Sequence, residues 1–229
     1  MDFNVSNLWV FDVAGVEVWI TETIVNTWGI MLLLIGFAAF VRLKLRAFKE
    51  IPTGFQNAVE SIIDAFDGFV KNTVGDKFMY LGNWFFMVFA FVLVSNLSGL
   101  VGVRPPTADW TTAFALALAT FLMIHTLGVA NRRGRYLKSF FEPSFVLFPL
   151  NVIGELAKPI SLSFRLFGNA LASTIFMTLI YSLLPMVLRF AVPAALHAYF
   201  DLFSGVLQTY IFCVLSLTFI HTASSAGAP

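Results

Sequence analysis

The sequence predicts an all-α polytopic membrane protein, and three observations carry that expectation. Hydrophobic residues fill 59% of the 229 positions, only 12% are charged, and mean hydropathy is +0.84. A soluble domain runs nearer to about 45–50% apolar and about 25% charged. The apolar residues gather into stretches of roughly twenty or more, the length a hydrocarbon core of about 30 Å requires. Lysines and arginines cluster at the ends of two of these stretches, as they do in loops that stay on the cytoplasmic side.

The elements follow in order. Residues 1–23 carry Asp2, Asp12, Glu17 and Glu22 and no lysine or arginine. They lack the basic start of a signal peptide, so the first span is expected to stay as an anchor. That span, Ile24 to Val41 within 24–49, ends in Arg42, Lys44, Arg46 and Lys49; the basic end belongs in the cytoplasm and the N-terminus outside. Residues 52–73 are too polar to span. Phe55, Val59, Ile62, Ile63, Phe66, Phe69 and Val70 recur at helical spacing, with Glu60, Asp64, Asp67 and Lys71 on the other face and Pro52-Thr53 suiting a helix start. This pattern predicts an amphipathic helix at the cytoplasmic interface or packed on the spans, with a short soluble linker helix as the alternative.

A second span over 80–103 leads outward to Arg104-Pro105-Pro106, and a third over 111–130 returns to Arg132, Arg133, Arg135 and Lys138. The second basic cluster agrees with the first on orientation. His125, near the inner end of the third span, reads either as a hydrogen-bonded structural histidine or as a proton relay. Phe145 to Leu184 is about forty residues, or about 60 Å of helix. Two spans with a turn near Gly168-Asn169 fit this length, and so does one helix tilted about 60° from the normal. The chain divides at Pro185 to Pro193, where Arg189 is too little charge to orient a loop, and Pro193 to Thr222 forms the last helix.

Arg165 lies at the centre of the long segment, in the run SLSFRLFGN. A guanidinium at mid-bilayer costs roughly 2.5–3.5 kcal/mol on insertion scales, and a guanidinium has no accessible neutral form. Such a charge marks an ion route or a counter-ion site. Asn151, Glu155, Lys158, Arg165, Asn169 and Ser173 are separated by 4, 3, 7, 4 and 4 residues, which places them in a stripe about 80° wide on one helix face. His197, Asp201, Ser204 and Gln208, spaced 4, 3 and 4, form a second face that turns apolar through Ile211, Phe212 and Leu215. A polar face that stops halfway suits a blind aqueous access channel, whereas a through-pore would stay polar to its end. The blander readings are an i,i+3 ion pair between Glu155 and Lys158, and interhelical hydrogen bonds of about 0.6 kcal/mol from Asn169 and Gln208.

Other chemistry has little support. No basic, aromatic-interleaved stretch points to nucleic acid, and Cys213 alone forms no internal disulfide and reads as an inert buried thiol. The chain has no GxxxxGK[ST] loop and no HExxH pair, and its three histidines are 72 and 24 residues apart, so neither a nucleotide site, a metal site nor a cofactor is expected. Neither solenoid repeats nor an inverted repeat is evident.

The run NVIGELAKPISLSFRLFGNALAS, the later LQTYIF and the earlier IPTGFQNAVESI together resemble subunit a of the F-type ATP synthase membrane sector, over nearly the whole chain and in order. The resemblance implies five spans in a bacterial plasma membrane, with the N-terminus extracytoplasmic and the C-terminus cytoplasmic. Residues 143–184 and 193–222 would form a strongly tilted hairpin against a ring of c subunits, with the peripheral-stalk b subunits and the rest of the complex as further partners. It implies that Arg165 faces the ring, keeps two half-channels from short-circuiting and displaces the ion from each passing c-subunit carboxylate. Asn169 matches the asparagine of RLFGN, and Gln208 the glutamine of the last helix. The chain departs from the bacterial pattern at Thr174, where many relatives carry glutamate, and at Asp201, where some carry histidine. The outer half-channel then keeps one carboxylate, on the opposite helix.

The expected function is therefore a stator ion-channel subunit, with His197, Asp201, Ser204 and Gln208 on one wall of the outer route, Asn151 and Glu155 along the inner one, and Asn169, Ser173 and Thr174 also in the ion pathway. The choice between H+ and Na+ would lie mainly in the c subunit. An autonomous secondary carrier or channel is the alternative, disfavoured by grooves that end midway; an intramembrane enzyme has no motif to support it.

Overall fold

The computed structural model describes residues 7–13, 16–142, 144–185 and 191–225. Asp2, Pro143 and Arg189 therefore lie outside the described residues. Helices dominate: α1 is Glu22–Lys44, α2 Phe55–Val74, α3 Gly82–Leu97, α4 Trp110–Arg132 and α5 Gly134–Ser139. They continue with α6 Phe148–Leu183, α7 Ala191–His197 and α8 Gly205–Ser225. Between α7 and α8 the helix widens into a π segment, Ala198–Ser204. Joined with their flanking 3₁₀ turns, these give five helical runs long and apolar enough to cross a membrane: Glu22–Lys44, Asp76–Val101, Trp110–Arg132, Phe145–Leu183 and Val192–Ser224.

Two strands precede α1 and were not expected. β1 (Asn7–Val13) and β2 (Val16–Thr21) pair antiparallel, with Val10 opposite Trp19 and Asp12 opposite Glu17. The signal was present in two valine- and tryptophan-rich runs separated by Ala14-Gly15. Asp12 and Glu17, among otherwise mostly apolar residues, interrupt the period-2 alternation and mask it.

The polar segment after the first basic cluster is helical from Phe55, three residues later than its Pro52 start signal. Gly54 sits at φ 55°, ψ −119°, which a side chain would resist, and this turn sets the helix start. At the other end Lys71 pairs with Asp76 at 2.8 Å, and that hydrogen bond holds the Lys71 pKa above its ordinary value.

Of the two readings of the long segment, one helix is found. α6 runs unbroken for 36 residues through Gly168-Asn169 and contains Pro159. The proline lacks the N–H that would bond the Glu155 carbonyl, and Leu162, Ser163 and Leu166, on both sides of Arg165, are buried.

The chain divides into two compact units: Met1–Leu43 with Ala90–Ala113 and Leu166–Thr209, and Lys44–Phe89 with Phe114–Arg165 and Tyr210–Pro229. The first has an unusually polar interior, burying Ser95, Asn96, Thr107, Ser173, Asp201, Gln208 and Thr209. Asn96 is its hub. Its amide donates to the Gly205 carbonyl at 3.1 Å and to Thr209 Oγ1 at 3.3 Å, while Thr107 Oγ1 donates to its Oδ1 at 3.0 Å. The second unit has an apolar core. Phe66 packs edge-on against Phe86 and Phe89 at 5.2 and 5.5 Å, with Val70, Phe85, Phe212, Leu217 and Ile220 buried around them. Cys213 is a free, fully buried thiol in that core.

Candidate functional site

In the first unit a hydrogen-bonded cluster forms around Asp201. The residue sits in the middle of the π segment, where the widened turn shifts side chains out of the ordinary helical register; such segments are frequent at functional sites. The residue is 5% exposed. Ser173 Oγ donates to Oδ1 at 2.9 Å, and His197 Nδ1 meets Oδ2 in a short hydrogen bond from one turn earlier. The other ring nitrogen of His197 is 3.3 Å from the Tyr181 hydroxyl. A continuous line thus runs Tyr181, His197, Asp201, Ser173. Beside it, Ser204 Oγ donates to Asn169 Oδ1 at 2.9 Å. Seven sequence-predicted residues fall in this unit, and five of them, Asn169, Ser173, His197, Asp201 and Ser204, are engaged in the cluster. Thr174 is not: its hydroxyl donates to Ala170 O of its own helix at 2.9 Å.

Gln208, one turn beyond Ser204, is 8% exposed, and its Nε2 is buried without a protein partner among the described residues.

In the second unit a cavity of about 600 Å³ opens between α4, α5, α6 and the end of α8, lined by Arg132, Tyr136, Asn151, Glu155, Lys158 and Thr222 among others. Asn151 donates to Phe140 O at 2.8 Å and Glu142 O at 3.2 Å, which ties the turn after α5 to the start of α6. Glu155 Oε1 accepts from Lys158 Nζ at 2.6 Å, the i,i+3 pair expected of this spacing. Glu155 Oε2 is buried without a protein partner among the described residues. Lys158 Nζ also lies 5.3 Å from the Phe219 ring centre, a cation–π contact that holds the ammonium toward α8. The Tyr136 hydroxyl and His125 Nδ1 share a hydrogen bond of 2.6 Å, so His125 has the structural partner that one of its two readings required. Burial, aided by the Glu155 carboxylate, pushes the Tyr136 phenol from its ordinary 10.0 up to about 12.

Arg165 is half-buried on α6. The ion pairs among the described residues are Lys71–Asp76, Glu155–Lys158 and His197–Asp201, and none of these includes it. Nor does any side-chain hydrogen bond among the described residues reach it.

Sequence reasoning missed Tyr181, Asn96, Thr107 and Tyr136. Asn96 carried a signal, since SNLSG is the polar break in an otherwise apolar span. The tyrosines carried none, because an aromatic among 27 phenylalanines reads as lipid-facing or core.

Comparison with known proteins adds the relationship. Residues 24–221 match the family model of the ATP synthase A chain. The chain is 36% identical over 203 residues to ATP synthase subunit a of Moorella thermoacetica, covering 88% of this chain and 89% of that one. Against ATP synthase subunit a of Geobacter sulfurreducens the identity is 35% over 209 residues, covering 87% and 86%. ATP synthase subunit a, sodium ion specific, of Propionigenium modestum is 33% identical over 220 residues, covering 88% and 73%.

Proposed function

The chain belongs to the ATP synthase A chain family, and from that premise we propose that it is the stator half of a rotary ion motor in a bacterial plasma membrane. Two offset half-channels carry H+ or Na+ to and from a ring of c subunits, and Arg165 stands between them. The b subunits of the peripheral stalk hold the chain still against the ring. The basic ends at Arg42 to Lys49 and Arg132 to Lys138 support a cytoplasmic face there, with the N-terminus outside and the C-terminus inside.

The outer route runs along Tyr181, His197, Asp201 and Ser173 toward Asn169, Ser204 and Gln208. Asp201 is its acid: hydrogen-bonded on both oxygens, it can take an ion from His197's side and release it toward the helix centre. The inner route is the cavity at Asn151 and Glu155. A buried acceptor left unmade costs about 1–3 kcal/mol, and an arriving hydrated cation would satisfy Glu155 Oε2 and recover that. Lys158, paired to the other oxygen, limits how strongly the site holds its ion. Arg165 repels cations at the junction and pairs transiently with each c-subunit carboxylate, displacing its ion. A guanidinium does this without losing its proton, as a buried amine would.

The observation that carries this reading is Arg165 without a partner among the described residues, on a helix whose polar stripe feeds one polar cluster after it and one polar cavity before it. The test is ion flux in vesicles. The assembled complex should conduct, and the chain reconstituted alone at equal density should not. Steady flux from the chain alone would establish an autonomous carrier or channel instead.

A further inference from the structure

Gly99 stands where a side chain would collide with the carboxylate of Asp201. It lies in the 3₁₀ turn Ser98–Val101 that follows α3. A Cβ there would sit 2.8 Å from Asp201 Cγ and 2.9 Å from each carboxylate oxygen, closer than such atoms pack. Gly99 is not among the positive-φ glycines, which are Gly54, Gly75 and Gly102. Backbone conformation therefore does not call for glycine at 99; space does.

The carboxylate has no easy retreat. Ser173 and His197 hold its two oxygens, and the residue is 5% exposed. The turn is held too. Asn96, just before it, bonds Gly205, directly after the π segment, and Thr209, one turn further on, and a Cβ on Gly205 would itself come within 3.0 Å of Asn96 Cβ. Two close glycine approaches thus bring this turn against the segment that carries the acid.

We propose that Gly99 is a positioning residue of the outer ion route: its missing side chain forms a slot that seats the Asp201 carboxylate, and the slot takes one carboxylate from either side. This rests on the reading of Asp201 as the acid of that route. The near-equal distances mean that a Cβ on residue 99 meets the carboxylate on its flat face. An aspartate at 99, facing glycine at 201, would therefore carry its own carboxylate one bond further, into the space Asp201 leaves.

Three variants in the assembled complex test this, with the amount of complex in the membrane measured alongside gradient-driven ATP synthesis. Gly99→Ala should lower synthesis about tenfold to a hundredfold through displacement of the acid. Asp201→Gly should abolish it. The double variant Gly99→Asp/Asp201→Gly should recover to within about tenfold of the native rate; a merely structural glycine predicts no recovery. Native rates in Gly99→Ala would overturn the proposal, as would a double variant that assembles but is as inactive as Asp201→Gly. A fully active Asp201→Gly would instead bring down the reading of Asp201 itself, and this proposal with it.

Discussion

Glu155 and Thr174 show how a side chain's immediate partners change what can be expected of it. Glu155 gives one oxygen to Lys158 and keeps the other buried and unmet by protein among the described residues. Glu155→Gln should therefore lower coupled ion flux while ATP hydrolysis stays tied to gradient formation, because Arg165 still separates the routes. Hydrolysis that continues with no gradient forming would instead make Glu155 part of the seal. Thr174 spends its hydroxyl on Ala170 O, a bond inside its own helix of little energetic weight. Thr174→Val should keep gradient-driven synthesis within about twofold of native, and a severe loss would put that hydroxyl in the ion route. The shared face of Asn169 and Ser173 was legible in the sequence because helical spacing converts residue number into direction. That Ser173 meets Asp201, that Ser204 meets Asn169, and that Tyr181 meets His197 was not, since spacing says nothing about which faces meet across elements.

Among the elements, α5 is the one whose purpose the sequence hid. Its six residues hold Arg135 and Lys138 of the second basic cluster, and charge alone explained them. In the structure α5 delivers Tyr136 to His125, and Gly128 makes room for the ring: a Cβ there would lie 2.7 Å from Tyr136 Cε2. Tyr136→Phe should cost about 1 kcal/mol of stability through the lost hydrogen bond. Its pH dependence has a fixed sign. The folded phenol titrates near 12 and the unfolded one near 10.0, so its share of stability is intact below pH 10 and falls as pH rises toward 12. The gap in thermal midpoint between the native chain and Tyr136→Phe should be flat below pH 10 and narrow above it. A gap that widens there would mean that the phenol ionises more readily in the folded chain. The long helices were legible because an apolar stretch of twenty or more residues has few alternatives in lipid. Whether Phe145 to Leu184 made one helix or two was open to hydropathy, since Gly168 and Pro159 are both tolerated once neighbours hold the backbone.

For the molecule as a whole, composition and basic ends were enough for an all-helical membrane protein, and the KPISLSFRLFGN run pointed to the family that residues 24–221 match. The N-terminal strand pair was less legible, because Asp12 and Glu17 interrupt its apolar alternation. What unites the rest is the Arg165 guanidinium, without a partner among the described residues, on a helix with polar groups to either side. The most direct test measures gradient-driven ATP synthesis in membranes carrying Arg165→Ala and Arg165→Lys, with equal amounts of assembled complex confirmed beforehand. The account predicts background synthesis in both, because alanine has no charge and a buried lysine can shed its proton. Synthesis near the native rate in Arg165→Ala would contradict it.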